Sequence, residues 1–85
     1  MRVLIPSALQ SYTSRRSEAD ATGSTVGELL RDLDRQHPGL RFRMVDEQDA
    51  IRPHMRVFVN RQAATLDTPV GADDEIVIVM ALSGG

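Results

Sequence analysis

The sequence predicts an α+β domain, with a mixed sheet of four to five strands and one main helix, folded as a single domain over residues 1–85. Three observations lead there. Residues 25–37 carry one capped amphipathic helix. Three apolar runs, Val3-Leu4-Ile5, Val57-Phe58-Val59 and the seven residues from Ile76 to Leu82, are rich in β-branched side chains, which favour strands. The helix lies between two early strands and at least two later ones, an order that places one helix against one sheet.

Taken in order, Val3 to Ile5 form a first strand. Pro6 lacks an N–H and tends to end a central strand there. Residues 7–14 read as a turn, with Leu9 and Tyr12 plugging the edge of the core. Residues 16–22 alternate weakly, Ala19 and Ala21 against Glu18 and Asp20, as an exposed strand with one half-buried face. In the helix, Thr25 and Glu28 stand at capping-box spacing, worth about 1 kcal/mol. Val26, Leu29, Leu30 and Leu33 follow at i, i+3, i+4 and i+7, so one face is apolar, while Arg31, Asp32, Asp34 and Arg35 turn to water. His37 suits the negative end of the helix dipole, and Pro38-Gly39 stop the helix. His37 therefore reads as a helix-end residue rather than a ligand or base.

Residues 40–55 are the least regular stretch. Leu40, Phe42, Met44 and Val45 are candidates to anchor it to the core. Asp46, Glu47 and Asp49 crowd a loop tip, but a calcium loop would need a glycine turn and a distant further ligand, so a solvated turn is expected. Residues 56–60 form a strong strand. Asn60-Arg61 reads as a tight turn, because Asn tolerates the left-handed conformation. Residues 62–66 begin the return, and Asp67-Thr68-Pro69 and Gly71-Ala72-Asp73-Asp74 are turns before the final strand.

Composition excludes several functions. The net charge is −2, so the basic excess that nucleic-acid binding relies on is missing. With no cysteine there is no disulfide, thiol nucleophile or Cys-based zinc site. All ten basic residues are Arg, so no lysine can form a Schiff base or accept an isopeptide bond. No apolar run approaches the ~20 residues of a membrane span, and the N-terminal apolar stretch is too short for a signal peptide. The expected location is the cytoplasm. No paired acid and base, nucleophile or metal set emerges, so neither a catalytic residue nor a bound cofactor is expected.

Two features point to a partner. One helix covers one face of a sheet, yet the strands are apolar at consecutive positions, so both faces carry apolar side chains. Unless residues 41–55 fold across it, the second face must meet solvent or a docking partner. The final strand then runs into Ser83-Gly84-Gly85. Two terminal glycines arise by chance in roughly one chain in 200 at average glycine usage. They offer the core nothing, but they make a thin, flexible tail ending in a bare carboxylate, shaped to enter a narrow tunnel.

The order of strand, strand, capped helix, strand and final strand resembles the ubiquitin-like β-grasp sulfur carriers of the MoaD/ThiS family. The residues that carry the resemblance are Thr25-Val26-Gly27-Glu28-Leu29-Leu30, Val57-Phe58-Val59-Asn60, Asp74-Glu75-Ile76 and Gly84-Gly85. The long segment between the helix and the third strand, with Arg56-Val57-Phe58-Val59-Asn60 and Leu66-Asp67-Thr68-Pro69, looks most like the branch that feeds sulfur to cysteine synthesis. Asp73 and Met80 depart from the pattern, standing where relatives usually carry Gly and Pro. The resemblance implies a protein cosubstrate, not an enzyme. A ubiquitin-activating-type, ATP-dependent enzyme would adenylate the Gly85 carboxylate, and sulfur would then replace AMP to leave a thiocarboxylate. That sulfur would pass to a biosynthetic enzyme of the cysteine, molybdopterin (molybdenum cofactor) or thiamine type. Gly84 and Ser83 would form the tail, and Leu82, Val79 and Phe58 are candidates for partner binding. The alternative is a ubiquitin-like interaction or conjugation module without sulfur transfer. Neither a nucleic acid nor a membrane is an expected partner.

Overall fold

A computed structural model describes residues 1–81 of the chain. Five strands form one sheet: β1 (Arg2–Leu4), β2 (Glu18–Asp20), β3 (Met55–Val59), β4 (Gln62–Ala63) and β5 (Ile76–Met80). Their order across the sheet is β2-β1-β5-β3-β4. β5 runs parallel to β1, while β1–β2, β3–β4 and β3–β5 pair antiparallel. The sheet is therefore mixed, as the sequence predicts, and the strand that leads to the C-terminal tail lies at its centre.

The helix α1 spans Val26–Gln36, one residue inside each expected end. Thr25 is its N-cap, and the Thr25 hydroxyl accepts the Glu28 N–H at 3.2 Å. The Glu28 carboxylate reaches back past the cap to the Ser24 N–H at 2.9 Å, so the reciprocal half of the capping box is displaced by one residue. The two earliest helical N–H groups are satisfied from elsewhere in the chain. Val26 donates to the Thr68 carbonyl and Gly27 to the Leu66 carbonyl. No N-terminal donor of α1 is left without a partner, which matters because each orphan in the interior costs free energy.

Val26, Leu29, Leu30 and Leu33 bury the apolar stripe of α1 against one face of the sheet. Residues opposite each other in register share a face, and the buried face is built of Val3, Ile76 and Val59 in one row and Val57 with Ile78 in the next. Leu9 is fully buried, as expected of a core plug, and Tyr12 packs half-buried beside it.

Residues 40–55 are more ordered than the sequence suggests. A second, short helix α2 covers Leu40–Met44. It begins at Gly39, whose φ of 96° is the left-handed conformation that glycine adopts without strain. Its cap comes from the preceding helix: Asp34 accepts the N–H groups of both Gly39 and Arg41 at 3.1 Å. Leu40, Met44 and Val45 are buried in the core, as expected. Phe42 is not. It is 60% exposed, with the Arg52 guanidinium 4.9 Å from its ring centroid. On a five-residue helix, Leu40 and Met44 lie four apart on one side, and Phe42 falls on the other.

The loop tip at Asp46 is the expected solvated turn. Asp46 accepts the N–H groups of Gln48 at 2.8 Å and Ala50 at 3.1 Å, and these bonds hold its carboxyl below the usual range. The early edge strand is shorter than expected, Glu18–Asp20 in place of residues 16–22.

Candidate docking face and tail root

The face of the sheet away from α1 is built by the other half of each alternating strand. Leu4, Val77, Phe58 and Ala63 stand in one cross-sheet row, and Val79 faces Arg56 in the next row toward the tail. Leu4, Phe58 and Val77 are half-buried, and Val79 is 37% exposed. Phe58 and Val79, both proposed from sequence as partner contacts, thus lie on the same open face, on adjacent strands. The segment that was the alternative cover, residues 41–55, instead sends Met44 and Val45, next to Leu40, into the core that α1 also fills.

Charge borders this apolar strip unevenly. At the end remote from the tail, Arg2 pairs with Glu18 at 3.2 Å and approaches Glu75 at 3.9 Å. At the tail end stands Arg56, exposed, with its guanidinium donating to the carbonyls of Pro53 and Met55. Among the described residues, the strip therefore ends in mixed charge at one side and at the Arg56 cation at the other.

The root of the tail is fixed. Met80 faces Met55 across the β3–β5 ladder, and the Ala81 N–H donates to the His54 carbonyl at 2.7 Å. Leu82, Ser83, Gly84 and Gly85, which carry the remaining sequence-predicted positions, lie outside the described residues.

At the opposite end of the sheet, two of the sequence signatures prove to be one device. Asn60 and Arg61 have φ of 50° and 72°, a two-residue turn with both centres left-handed, the type I′ geometry that matches strand twist. The Asn60 side chain donates to Asp74 at 2.8 Å and accepts the Glu75 N–H at 2.9 Å. Asp74 also accepts the Gly71 N–H at 2.8 Å. The Asn60 amide, followed by the Gly71 N–H, holds the Asp74 carboxyl below the usual range. Val57-Phe58-Val59-Asn60 and Asp74-Glu75-Ile76 are thus the two halves of a clamp that starts β5 in register. The sequence hinted at the left-handed turn but not at this pairing, which joins residues 14 apart.

Among the described residues, no group of three or more His, Cys, Asp or Glu side chains could hold a metal ion, and no helix is long and apolar enough to cross a membrane. A depression of about 420 Å³ lies at the edge of β3 beyond the short β4, lined chiefly by Ile51, Pro53, Met55, Ala63 and Leu66.

The profile of the ThiS family matches residues 3–85. The chain belongs to the ThiS family. Among curated relatives, the sulfur carrier protein CysO of Mycobacterium tuberculosis is 28% identical over 89 residues, covering 98% of this chain and 96% of that protein. Small archaeal modifier protein 1 of Haloferax volcanii is 34% identical over 73 residues, covering 85% of this chain and 84% of that protein. Among solved structures, a chain of the BexX/CysO complex of Amycolatopsis orientalis superposes with a TM-score of 0.91 at 30% identity, covering 99% of this chain and 98% of that one. The ubiquitin-like β-grasp is therefore the fold of this ThiS-family chain, and its relatives are small carrier and modifier proteins. Taken together, these relatives support a ubiquitin-like sulfur carrier.

Proposed function

We propose that this chain carries sulfur as a thiocarboxylate on Gly85. The supporting observation is the family match, which runs to the last residue and ends on Gly84-Gly85. A carboxylate is a poor electrophile because its leaving group would be oxide. In the proposed reaction, a Gly85 carboxylate oxygen attacks the α-phosphorus of ATP in a ubiquitin-activating-type partner, and pyrophosphate leaves. Sulfur from a donor then attacks the Gly85 carbonyl carbon, AMP leaves with the oxygen, and a thiocarboxylate remains. The ATP and its magnesium belong to the partner; this chain is the cosubstrate. The sulfur passes to a biosynthetic enzyme in the cytoplasm. Cysteine synthesis is the branch best supported, given the likeness to CysO, with molybdopterin and thiamine-type pathways as the other destinations.

The tail and the open face have separate tasks in this reading. Phe58, Val79 and Leu82 dock the adenylating partner, and Ser83, Gly84 and Gly85 thread its active site. Glycines suit the narrowest part of such a path, and position matters: a misplacement of ~1 Å can cost about 100-fold in rate. A second reading, transfer of Gly85 to a partner amine, is supported by the 34% identity to small archaeal modifier protein 1.

The test is intact-mass measurement after coexpression with an adenylating enzyme and a sulfur source. The expected product has one oxygen replaced by sulfur, and deletion of Gly85 abolishes it without altering stability. A deletion variant loaded at the normal rate would remove the tail from the mechanism. An amide-linked adduct without any thiocarboxylate would favour conjugation.

A further inference from the structure

We infer that this chain is built as a one-way acyl donor: it can give away an activated Gly85 but presents no amine that its own activated tail can reach. The inference rests on the reading that Gly85 becomes activated.

An activated carboxyl at the end of a tether is a hazard to its own carrier. Any amine within reach reacts as an intramolecular partner, and effective concentrations for well-placed groups are very high. The amine nitrogen would bond to the Gly85 carbonyl carbon, the bond to the leaving group would break, and the amine proton would pass to that group or to water. The product is a stable amide, and the carrier is spent.

The residue choice removes every side chain capable of this. The 85 residues include no lysine and no cysteine, and all ten basic side chains are Arg. A guanidinium stays protonated at neutral pH and offers no free electron pair. The two imidazoles, His37 and His54, form only acyl adducts that water cleaves. The effect is local as well as global. Arg56, level with Val79 and two residues before the tail root, is where a lysine amine would meet the tail.

One amine remains, that of Met1, and the fold places it out of reach. Its ammonium donates to the exposed Asp20 at 3.0 Å and its carbonyl accepts the Ala21 N–H at 3.0 Å, so both ends of the residue are tied to the β2 side of the sheet. The pairing of Val3 with Ile76 makes β1 and β5 parallel, so Met1 lies at the start of β5 and the tail leaves from its end. At ordinary strand rise, Met1 and Ala81 are separated by about 23 Å along the sheet. Four further residues, fully extended, span at most about 14 Å. The tail cannot close on its own N-terminus.

The test uses the full chain carrying a C-terminal thioester of a small thiol, prepared without any partner enzyme, incubated at mildly alkaline pH and followed by intact mass. The parent chain should yield only the hydrolysed acid. Arg56→Lys should yield mainly a macrocycle, lighter than the acid by one water, with amide product raised more than about tenfold. Macrocycles closed on Met1 as the main product of the parent chain would overturn the inference. So would an Arg56→Lys chain that merely hydrolyses, because the missing lysines would then be irrelevant. Failure of sulfur loading with a partner would leave these outcomes untouched, so the two readings fail separately.

Discussion

Ile78 and Val79 are neighbours on β5, similar in size and both β-branched, yet they live in different solvents. Ile78 is 2% exposed beneath α1, and Val79 is 37% exposed on the open face. The same alternation separates Val57 from Phe58 on β3. One face of the sheet holds the domain together, and the other is free to meet a partner. A chain this small cannot easily build two cores, and it has one helix long enough to cover a face. Sequence hydropathy alone makes the two faces look alike; coverage makes them different.

The largest expected effect breaks that equivalence at adjacent residues. Ile78→Asp places an unpaired carboxylate in the core, which costs at least about 4 kcal/mol, a large share of the roughly 5–15 kcal/mol that holds a typical domain. Val79→Asp should stay within about 1 kcal/mol of the parent, the span of strand propensity. Urea titration of the pair measures both. Equal losses would mean that the open face is packed after all. If the docking proposal holds, Val79→Asp folds normally and loses binding to the adenylating enzyme, read by calorimetry; unchanged affinity there and for Phe58→Asp would clear the strip of that task.

Leu30→Ala comes next and sharpens the buried side. Leu30 is 1% exposed in the centre of the α1 stripe, and truncation of such a leucine costs about 2–5 kcal/mol. A loss below 1 kcal/mol, seen as a small shift in the urea midpoint, would mean that α1 contributes little to the buried face.

These two predictions rest on features legible in the sequence. The stripe from Val26 to Leu33, the cap at Thr25 and the strand at residues 56–60 were visible because their information is local: period, spacing and one capping residue. The family resemblance added the order of strands, and the structure bears out that fold. What escaped the sequence is held by contacts between distant residues. α2 has no cap of its own and borrows Asp34 from α1. Phe42 looks like an anchor by composition but falls on the wrong side of a short helix. The orientation of Phe58 and Val79 could not be read because both faces are apolar, and register, not residue type, decides it.

A smaller effect belongs to polar ties outside both faces. Asp32, Asp46 and Asp74 are all held below the ordinary 3.8 by hydrogen bonds: to Arg35 and the Thr22 N–H for Asp32, to Ala50 and Gln48 for Asp46, and to Asn60 and Gly71 for Asp74. A carboxyl with a depressed folded pKa contributes stability that is present above its unfolded value. The urea midpoint should therefore hold from neutral pH down toward 3.8 and fall as the pH drops through the lower folded values. Asp74→Asn should flatten part of that fall. A midpoint that does not change as the pH drops well below 3.8 would show that these bonds do not bias the folded state.

The smallest effect isolates backbone from either face. Asn60 and Arg61 share the left-handed turn, with φ of 50° and 72°, but only Asn60 has a structural reason to be there. Its side chain clamps Asp74 and Glu75, whereas Arg61 is exposed. A side chain in the left-handed region costs about 1–2 kcal/mol, and glycine returns roughly 0.5–1 kcal/mol of that as added freedom in the unfolded chain. Arg61→Gly should therefore stabilise by about 0.5–1 kcal/mol, matching the Asn-Gly preference of type I′ turns. Asn60→Gly relieves less strain, because Asn tolerates this region, and removes both clamp bonds, each worth about 1 kcal/mol, so it should destabilise. The two variants differ by one position and share one backbone geometry. If thermal melts moved them in the same direction, the turn would be governed by φ alone, and the clamp between Asn60 and the start of β5 would have no part in setting the register that divides one face from the other.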